Sequence, residues 1–255
     1  MDIIIKENYD ELSLYTAKLI AGLVKSKPNC VLGLATGSTP IGTYKELVRM
    51  HKEENLDFSQ VTTFNLDEYY GIGLDFSKPY EMDQSYARFM HEELFKHINI
   101  KKDNIHTPDG KSQEPEKFCK WYEEKIEKAG GIDLQILGIG GDGHWAFNEP
   151  GSSLTSRTRV QALAEQTLDD NYESFYKKAG IERAQMPHFA ITMGVGTILE
   201  AKNIIMIANG FSKADVVAKS IEGAITTEIT ASAIQLHKGG VTVVLDNAAA
   251  SKLKL

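Results

Sequence analysis

GIDLQILGIGGDGHWAFNEPG, residues 131–151, is the stretch on which the fold turns. Leu134-Gln135-Ile136-Leu137 is a short, mostly aliphatic run that ends in glycines. Such a run reads as a buried strand leaving into a tight loop. That loop carries Asp142, His144 and Glu149, with Gly138, Gly140, Gly141 and Gly143 around the first two. Glycines let a backbone turn sharply and come close to a ligand. A carboxylate beside an imidazole holds its orientation and raises its basicity. In open α/β sheets ligands sit beyond the carboxyl ends of the strands, where this loop would lie. A glycine-rich turn with a solvated Asp and a capping His is the alternative, but imidazole and glycines clustered after a strand favour a site. Zinc is disfavoured, because Asp142-Gly143-His144 has no helical i, i+4 pair and both cysteines are far away in sequence.

Outward from this stretch, strands and helices alternate. Residues 2–6 form a short edge strand. Asn8 caps a helix over 9–25 whose apolar face carries Leu12, Tyr15, Leu19, Ile20 and Leu23. Strands at 31–35 and 61–66 are short and apolar, as in the middle of a parallel sheet, and a helix starts near Ile41 between them. Residues 71–83 read as a loop broken by Pro79. Helices over 85–97, 115–129 and 167–178 and strands over 203–208 and 241–245 continue the pattern, with Phe118, Trp121, Tyr122 and Ile126 facing the core. Residues 152–161 are a loop and strand, and 189–199 include a Gly194-Val195-Gly196 turn before a short helix. The expected fold class is α/β: a Rossmann-like three-layer α/β/α sandwich with a mostly parallel sheet, formed as one domain over residues 1–255.

Composition narrows the function. At 255 residues, 42% hydrophobic and 25% charged, the chain has the make-up of an ordinary α/β domain. A net charge of -7, with no Lys/Arg-rich run, argues against nucleic acid as the main partner. Cys30 and Cys119 are too few for a disulfide framework and are expected as free thiols. No apolar run is long enough for a membrane span or a leader's core, so a cytoplasmic protein is expected.

Three more loops leave strands. Thr36-Gly37-Ser38-Thr39-Pro40 leads into the helix at Ile41, and a strand, a Gly/Ser/Thr loop and a helix N-terminus together make an anion cradle. These residues equally suit an ordinary βα turn with a Ser/Thr cap, and they match neither a P-loop nor a dinucleotide fingerprint. Asn209-Gly210-Phe211-Ser212-Lys213 repeats the arrangement. A lysine in a helix's first turn opposes the dipole unless an anion sits there, so Lys213 reads as a phosphate ligand or else as a solvated side chain. Asp67-Glu68-Tyr69 ends the 61–66 strand, where a carboxylate pair taken alone is most simply a helix cap.

Taken together these motifs resemble one family. GIGGDGHWAFNEPGSSLTSRTR, with NLDEY and LGLATGSTP upstream, is similar to the signature of the glucosamine-6-phosphate deaminases, over nearly the whole chain. The DGH triplet is shared with 6-phosphogluconolactonases, whereas its continuation into AFNEPGSSL and SRTR follows the deaminase pattern. The resemblance implies the Rossmann-like fold shared with ribose-5-phosphate isomerase and coenzyme-A transferase relatives. It implies conversion of D-glucosamine 6-phosphate and water to D-fructose 6-phosphate and ammonia, with no cofactor and no metal. Asp67 then inherits the role of proton-shuttling base, and Glu68 is structural. His144 opens the sugar ring, oriented by Asp142 and Glu149. Thr36, Gly37, Ser38, Thr39 and Lys213 bind the phosphate. The expected partner is an amino-sugar phosphate, with no nucleic acid and no membrane, the chain acting as a monomer or homo-oligomer.

Four departures mark this chain within the resemblance. Trp145 stands where the family more often has a small aliphatic residue. The 71–83 loop is longer than the family's link to SYARFM at 85–90. The family's phosphate-binding arginine falls on Ser174 or Glu173, depending on alignment, and Lys177, Lys178 and Arg183 are near enough in sequence to substitute. Where allosteric relatives bind an N-acetylated sugar phosphate, Ser152, Ser153 and Arg159 match, but Gln161 replaces a lysine. The alternatives are a deaminase for galactosamine 6-phosphate or another amino-sugar phosphate, a 6-phosphogluconolactonase-type hydrolase, and a non-catalytic sugar-phosphate sensor.

Overall fold

Strand residues alternate between two apolar environments. On Asn203–Ala208, Ile204, Met206 and Ala208 enter one buried cluster while Ile205 and Ile207 enter another. A strand apolar on both faces needs helices above and below it. The computed structural model describes residues 1–72, 84–177 and 180–254, without the side chains of 174 and 175. In chain order the elements are β1 (Asp2–Lys6), α1 (Tyr9–Ser26), β2 (Val31–Leu34), α2 (Ile41–Glu54), β3 (Thr62–Asn65), β4 (Asp67–Tyr69), α3 (Tyr86–Glu93), β5 (Ile105–His106), α4 (Pro115–Lys128) and β6 (Leu134–Leu137). They continue with β7 (Arg159–Ala162), α5 (Glu165–Asn171), β8 (Phe189–Thr192), α6 (Val195–Leu199), β9 (Asn203–Ala208), α7 (Ala214–Glu222), β10 (Gly240–Asp246) and α8 (Asn247–Ala250).

Seven strands form the main sheet in the order β1-β10-β9-β6-β2-β3-β5, and every neighbouring pair is parallel. Helices α1, α2 and α3 bury Leu12, Ile20, Leu47 and Met90 against one face, while α4, α6 and α7 bury Tyr122, Ile198 and Val217 against the other. This is the three-layer α/β/α sandwich expected from the sequence. From β2 the chain steps outward to β3 and β5, and from β6 it steps the opposite way to β9 and β10. The switch point therefore lies between β2 and β6, and such a point opens a crevice at the strands' carboxyl ends.

A second sheet was not legible in the sequence. β4, β8 and β7 pair antiparallel, with Asp67 opposite Thr192 and Arg159 opposite Thr192 on its other side. The 61–66 strand therefore does not end at Asp67. It bends at Leu66, which still donates its N–H to Leu34 O at 3.2 Å, and passes into the small sheet as Leu66 O accepts from Met193 N at 2.7 Å.

Helix ends also moved. The 85–97 helix stops at Leu94, whose φ of -135° breaks it before a 3₁₀ turn over Phe95–His97. The 167–178 helix begins earlier, at Glu165, and turns π-helical over Tyr172–Tyr176. Val195 and Gly196 lie inside α6 instead of preceding it. Trp121, expected in the core, is 42% exposed, because Cys119, Tyr122 and Ile126 define the buried stripe of α4 and Trp121 sits about 100° round from Tyr122. Of the 71–83 loop, residues 73–83 lie outside the described residues, as does Lys178. Among the described residues no helix is long and apolar enough to cross a membrane.

Candidate active site

Loops from β2, β3, β6 and β9 enclose a cavity of about 350 Å³ above the switch point. Thr36, Gly37, Ser38, Thr39, Asp67, His144 and Lys213 all line it. Residues spread over 177 positions of sequence thus meet because their strands end side by side.

The loop after β6 is built around His144. Gly143 adopts φ +89° and donates its N–H to Gly140 O at 3.2 Å, and Gly140 donates to His144 O at 2.9 Å. The imidazole then lies on bare backbone, for a Cβ on Gly140 would fall 2.6 Å from His144 Nε2. His144 Nδ1 sits 2.6 Å from Asp142 Oδ1, in a close but poorly aligned contact, and 4.0 Å from Glu149 Oε2. Burial pushes the Asp142 carboxyl up, but its contacts with His144 outweigh this and hold it below the ordinary carboxylate value. Glu149 is buried and fixed from the start of α5, accepting from Ala164 N at 3.2 Å and Thr167 Oγ1 at 3.0 Å. Donor atoms of Asp142, His144 and Glu149 lie within 4.8 Å of one another, near enough to share a cation. Each Glu149 oxygen accepts one protein hydrogen bond, which fixes the carboxylate beside the imidazole.

Asp67 opens on the cavity from the first position of β4. Its carboxylate accepts no hydrogen bond among the described residues. Burial, reinforced by the neighbouring Glu68, raises its pKa well above the ordinary value. Glu68 points elsewhere and caps α3. It accepts from Tyr69 N, Tyr86 N, Ala87 N and Ser85 Oγ at 2.7–3.0 Å. Burial pushes Glu68 up to about 7, against the pull of these donors. The helix-cap reading of the carboxylate pair therefore describes Glu68, though the helix it caps starts 18 residues downstream.

Lys213 is the one cation lining the cavity among the described residues. It ends a 3₁₀ turn over Phe211–Lys213 that leads into α7, and burial lowers its pKa, against the charges of Asp142 and Asp170. Neither described stand-in for the absent arginine reaches the cavity. Lys177 pairs with Glu173 at 2.9 Å, and Arg183 with Asp169 at 2.8 Å and Glu165 at 2.5 Å. Lys177 is satisfied by an acid one turn back, and Arg183 by two acids of α5.

Ser152 and Arg159 come together away from the cavity lining, with Arg159 Nη2 bonded to Ser152 Oγ at 3.1 Å and to Gln161 Oε1 at 2.8 Å. Arg159 Nη1 bonds Asn148 Oδ1 at 2.9 Å, so the side-chain partners of this guanidinium are neutral. Ser153 is apart from them, its hydroxyl 3.0 Å from Thr155 Oγ1.

Several lining residues carried no assigned role in the sequence. Tyr86 stacks on Phe147 at 5.7 Å and 7°, Tyr69 lies 5.3 Å from Phe147, and Asn171 Nδ2 donates to Tyr69 OH at 2.9 Å. Tyr69 and Tyr86 stood inside quoted motifs, which was the available signal. Asn171 and Asp170 had none. Trp145 is fully buried in the core beneath the loop, so its bulk is absorbed by packing and leaves the cavity to Ala146 and His144.

Comparison with known proteins places these features in a family. The profile described as glucosamine-6-phosphate isomerases/6-phosphogluconolactonase matches residues 6–244. A glucosamine-6-phosphate deaminase of Thermoanaerobacter sp. (strain X514) is 48% identical over 251 residues, covering 98% of this chain and 94% of that one. A solved structure of a monomeric glucosamine-6-phosphate deaminase superposes with a TM-score of 0.91 at 43% identity, covering 99% of this chain and 100% of the other. The 6-phosphogluconolactonase of Trypanosoma brucei shares the fold, with a TM-score of 0.74 at 21% identity over 99% of this chain and 98% of its own.

Proposed function

The chain belongs to the glucosamine-6-phosphate isomerase/6-phosphogluconolactonase family, and on that ground we infer that it is an enzyme converting D-glucosamine 6-phosphate and water to D-fructose 6-phosphate and ammonia. One observation carries this reading beyond family membership: a buried carboxylate, an acid-flanked imidazole and an anion cradle with a lysine share one cavity. The 36–39 loop and Lys213 take the phosphate, through backbone N–H groups, hydroxyls and one cation. His144 exchanges a proton with the ring oxygen to open the pyranose, with Asp142 and Glu149 orienting it and stabilising its charged form. Asp67 then takes the proton from carbon 2 and returns it to carbon 1. Water adds to the resulting imine, and ammonia leaves. A carboxylate whose pKa burial has raised is a stronger base once ionised, which suits this transfer.

The site calls for no cofactor, and we read the chain as one cytoplasmic domain. Both cysteines being buried and free supports that compartment. The Ser152–Arg159 pair, with neutral side-chain partners, supports an anionic regulator there, with Ser153 next to it in sequence as the third expected contact. An ammonia-release assay with glucosamine, galactosamine and mannosamine 6-phosphates, beside 6-phosphogluconolactone, tests the main reading. Ammonia from glucosamine 6-phosphate is expected. Preference for another epimer, lactone hydrolysis alone, or binding without turnover would each install one of the alternative functions.

Two variants probe the parts. Lys213→Ala removes the cavity's described cation and should raise KM by about 1.5–3 kcal/mol, the worth of a charge-assisted bond. An unchanged KM would put the phosphate elsewhere. Gly140→Ala should push the His144 ring off its seat, because the three atoms nearest the new Cβ all belong to that ring. A shift of this kind costs turnover up to about 10²-fold. Wild-type kcat in a variant with an unchanged Tm would mean the ring position is not critical.

A further inference from the structure

We infer that Asn209 is a positioning residue that ties the two halves of the phosphate cradle together through Thr39. This rests on the phosphate reading of the cavity given above.

Each half of the cradle is pinned inside its own part of the fold. Helix α2 has Pro40 in its N-cap position, which supplies no side-chain cap. Tyr9 reaches over from α1 instead, its hydroxyl accepting from Gly42 N at 2.8 Å and donating to Ser38 O at 3.1 Å. The second half starts at Gly210, whose φ is +87° and whose N–H is held by both Asp246 oxygens at 3.0 and 2.9 Å. Asp246 also accepts from Ala249 N at 2.7 Å, which anchors it to α8.

The spacing between the halves is a separate matter. Strands β2 and β9 are not neighbours, since β6 lies between them. No ladder hydrogen bond therefore runs directly between the two strands that lead to the 36–39 loop and to Lys213. Thr39 Oγ1 and Asn209 Oδ1 do meet, at 2.8 Å, across that gap. Thr39 and Lys213 line the cavity and Asn209 does not, so Asn209 acts on the ligand through its partner. The amide also suits a hydroxyl that must turn toward an anion. Thr39 has one proton, given to Asn209 Oδ1 in this structure. When that proton goes to phosphate, a carboxamide can swap ends and donate from Nδ2 to the Thr39 oxygen, whereas a carboxylate can only accept.

The test measures KM and kcat with glucosamine 6-phosphate and competitive inhibition by inorganic phosphate, in Asn209→Ala, Asn209→Asp, Thr39→Val, the Asn209→Ala/Thr39→Val double variant and Lys213→Ala. Asn209→Ala should raise KM and the inhibition constant of phosphate together, by roughly two- to tenfold, the worth of one neutral hydrogen bond. The change in kcat should be smaller than the change in KM. Asn209→Asp should be worse than Asn209→Ala, although it is nearly isosteric. The double variant should be no weaker than Thr39→Val alone, because the two side chains act as one unit. If Asn209→Ala folds poorly, the isosteric Asp variant carries the measurement. Losses that multiply in the double variant would overturn the tie. So would unchanged phosphate inhibition in both Asn209 variants while Lys213→Ala weakens it, and that pattern would leave the phosphate reading standing. Unchanged inhibition in Lys213→Ala as well would remove the phosphate reading and this inference with it.

Discussion

Asp67→Asn is expected to cut turnover by roughly 10²–10⁴-fold, the usual cost of a lost general base, with substrate binding nearly unchanged. The amide keeps the shape of the side chain but cannot accept the carbon-bound proton. The same substitution should make the protein more stable at neutral pH. Burial, and then the charge of Glu68, raise the Asp67 pKa well above its ordinary value. Between the unfolded value of about 3.9 and the raised folded value, the folded state keeps a proton that the unfolded chain has lost. The unfolded state then binds fewer protons, so stability falls as pH rises through that window. Asparagine escapes this penalty. Its Tm should exceed that of the parent at neutral pH, and the two should converge below about pH 4. In the parent, kcat/KM should rise with pH along a limb set by Asp67, and that limb should vanish from the residual activity of the variant. Turnover within a few-fold of the parent, or a Tm gap that does not depend on pH, would count against Asp67 as a buried base.

His144→Gln should produce the second large loss, of similar order, since glutamine cannot pick up and release a proton near neutral pH. The loss should be selective. Ring opening is the step proposed for the imidazole, and transfer of the carbon-bound proton the step proposed for Asp67. A reduced, open-chain amino-alditol phosphate bypasses ring opening, so the variant should bind it better, relative to the cyclic substrate, than the parent does. Asp142 and Glu149 would then face a neutral amide in place of the imidazole. An unaltered preference between cyclic and open-chain ligands would move ring opening to another group.

Local patterning along the chain is enough to set the layered sheet and the position of its loops. Short strands apolar on both faces, such as residues 31–35 and 203–208, demand helices above and below, and that demand is local and periodic. Asn8, which accepts from Glu11 N at 3.0 Å, and the glycines around His144 are likewise local chemistry. Motif resemblance then marked Asp67, His144 and Lys213, which do line one cavity. Tertiary structure alone decided how these pieces face one another. The bend at Leu66 depends on Leu34 and Met193, residues distant in sequence whose backbone groups take up its N–H and C=O. Glu68 became a cap for α3 because the small antiparallel sheet turns it there, and no spacing rule reaches across 18 positions to say so. Lys177 and Arg183 looked available in sequence but were claimed by Glu173, Asp169 and Glu165. Asn209 meets Thr39 only because β6 holds β2 and β9 one strand apart. Periodicity and capping act over a few residues and can be read from the chain. Pairings between loops depend on strand order and on the competition among buried and surface partners, which exist only once the sheet has formed.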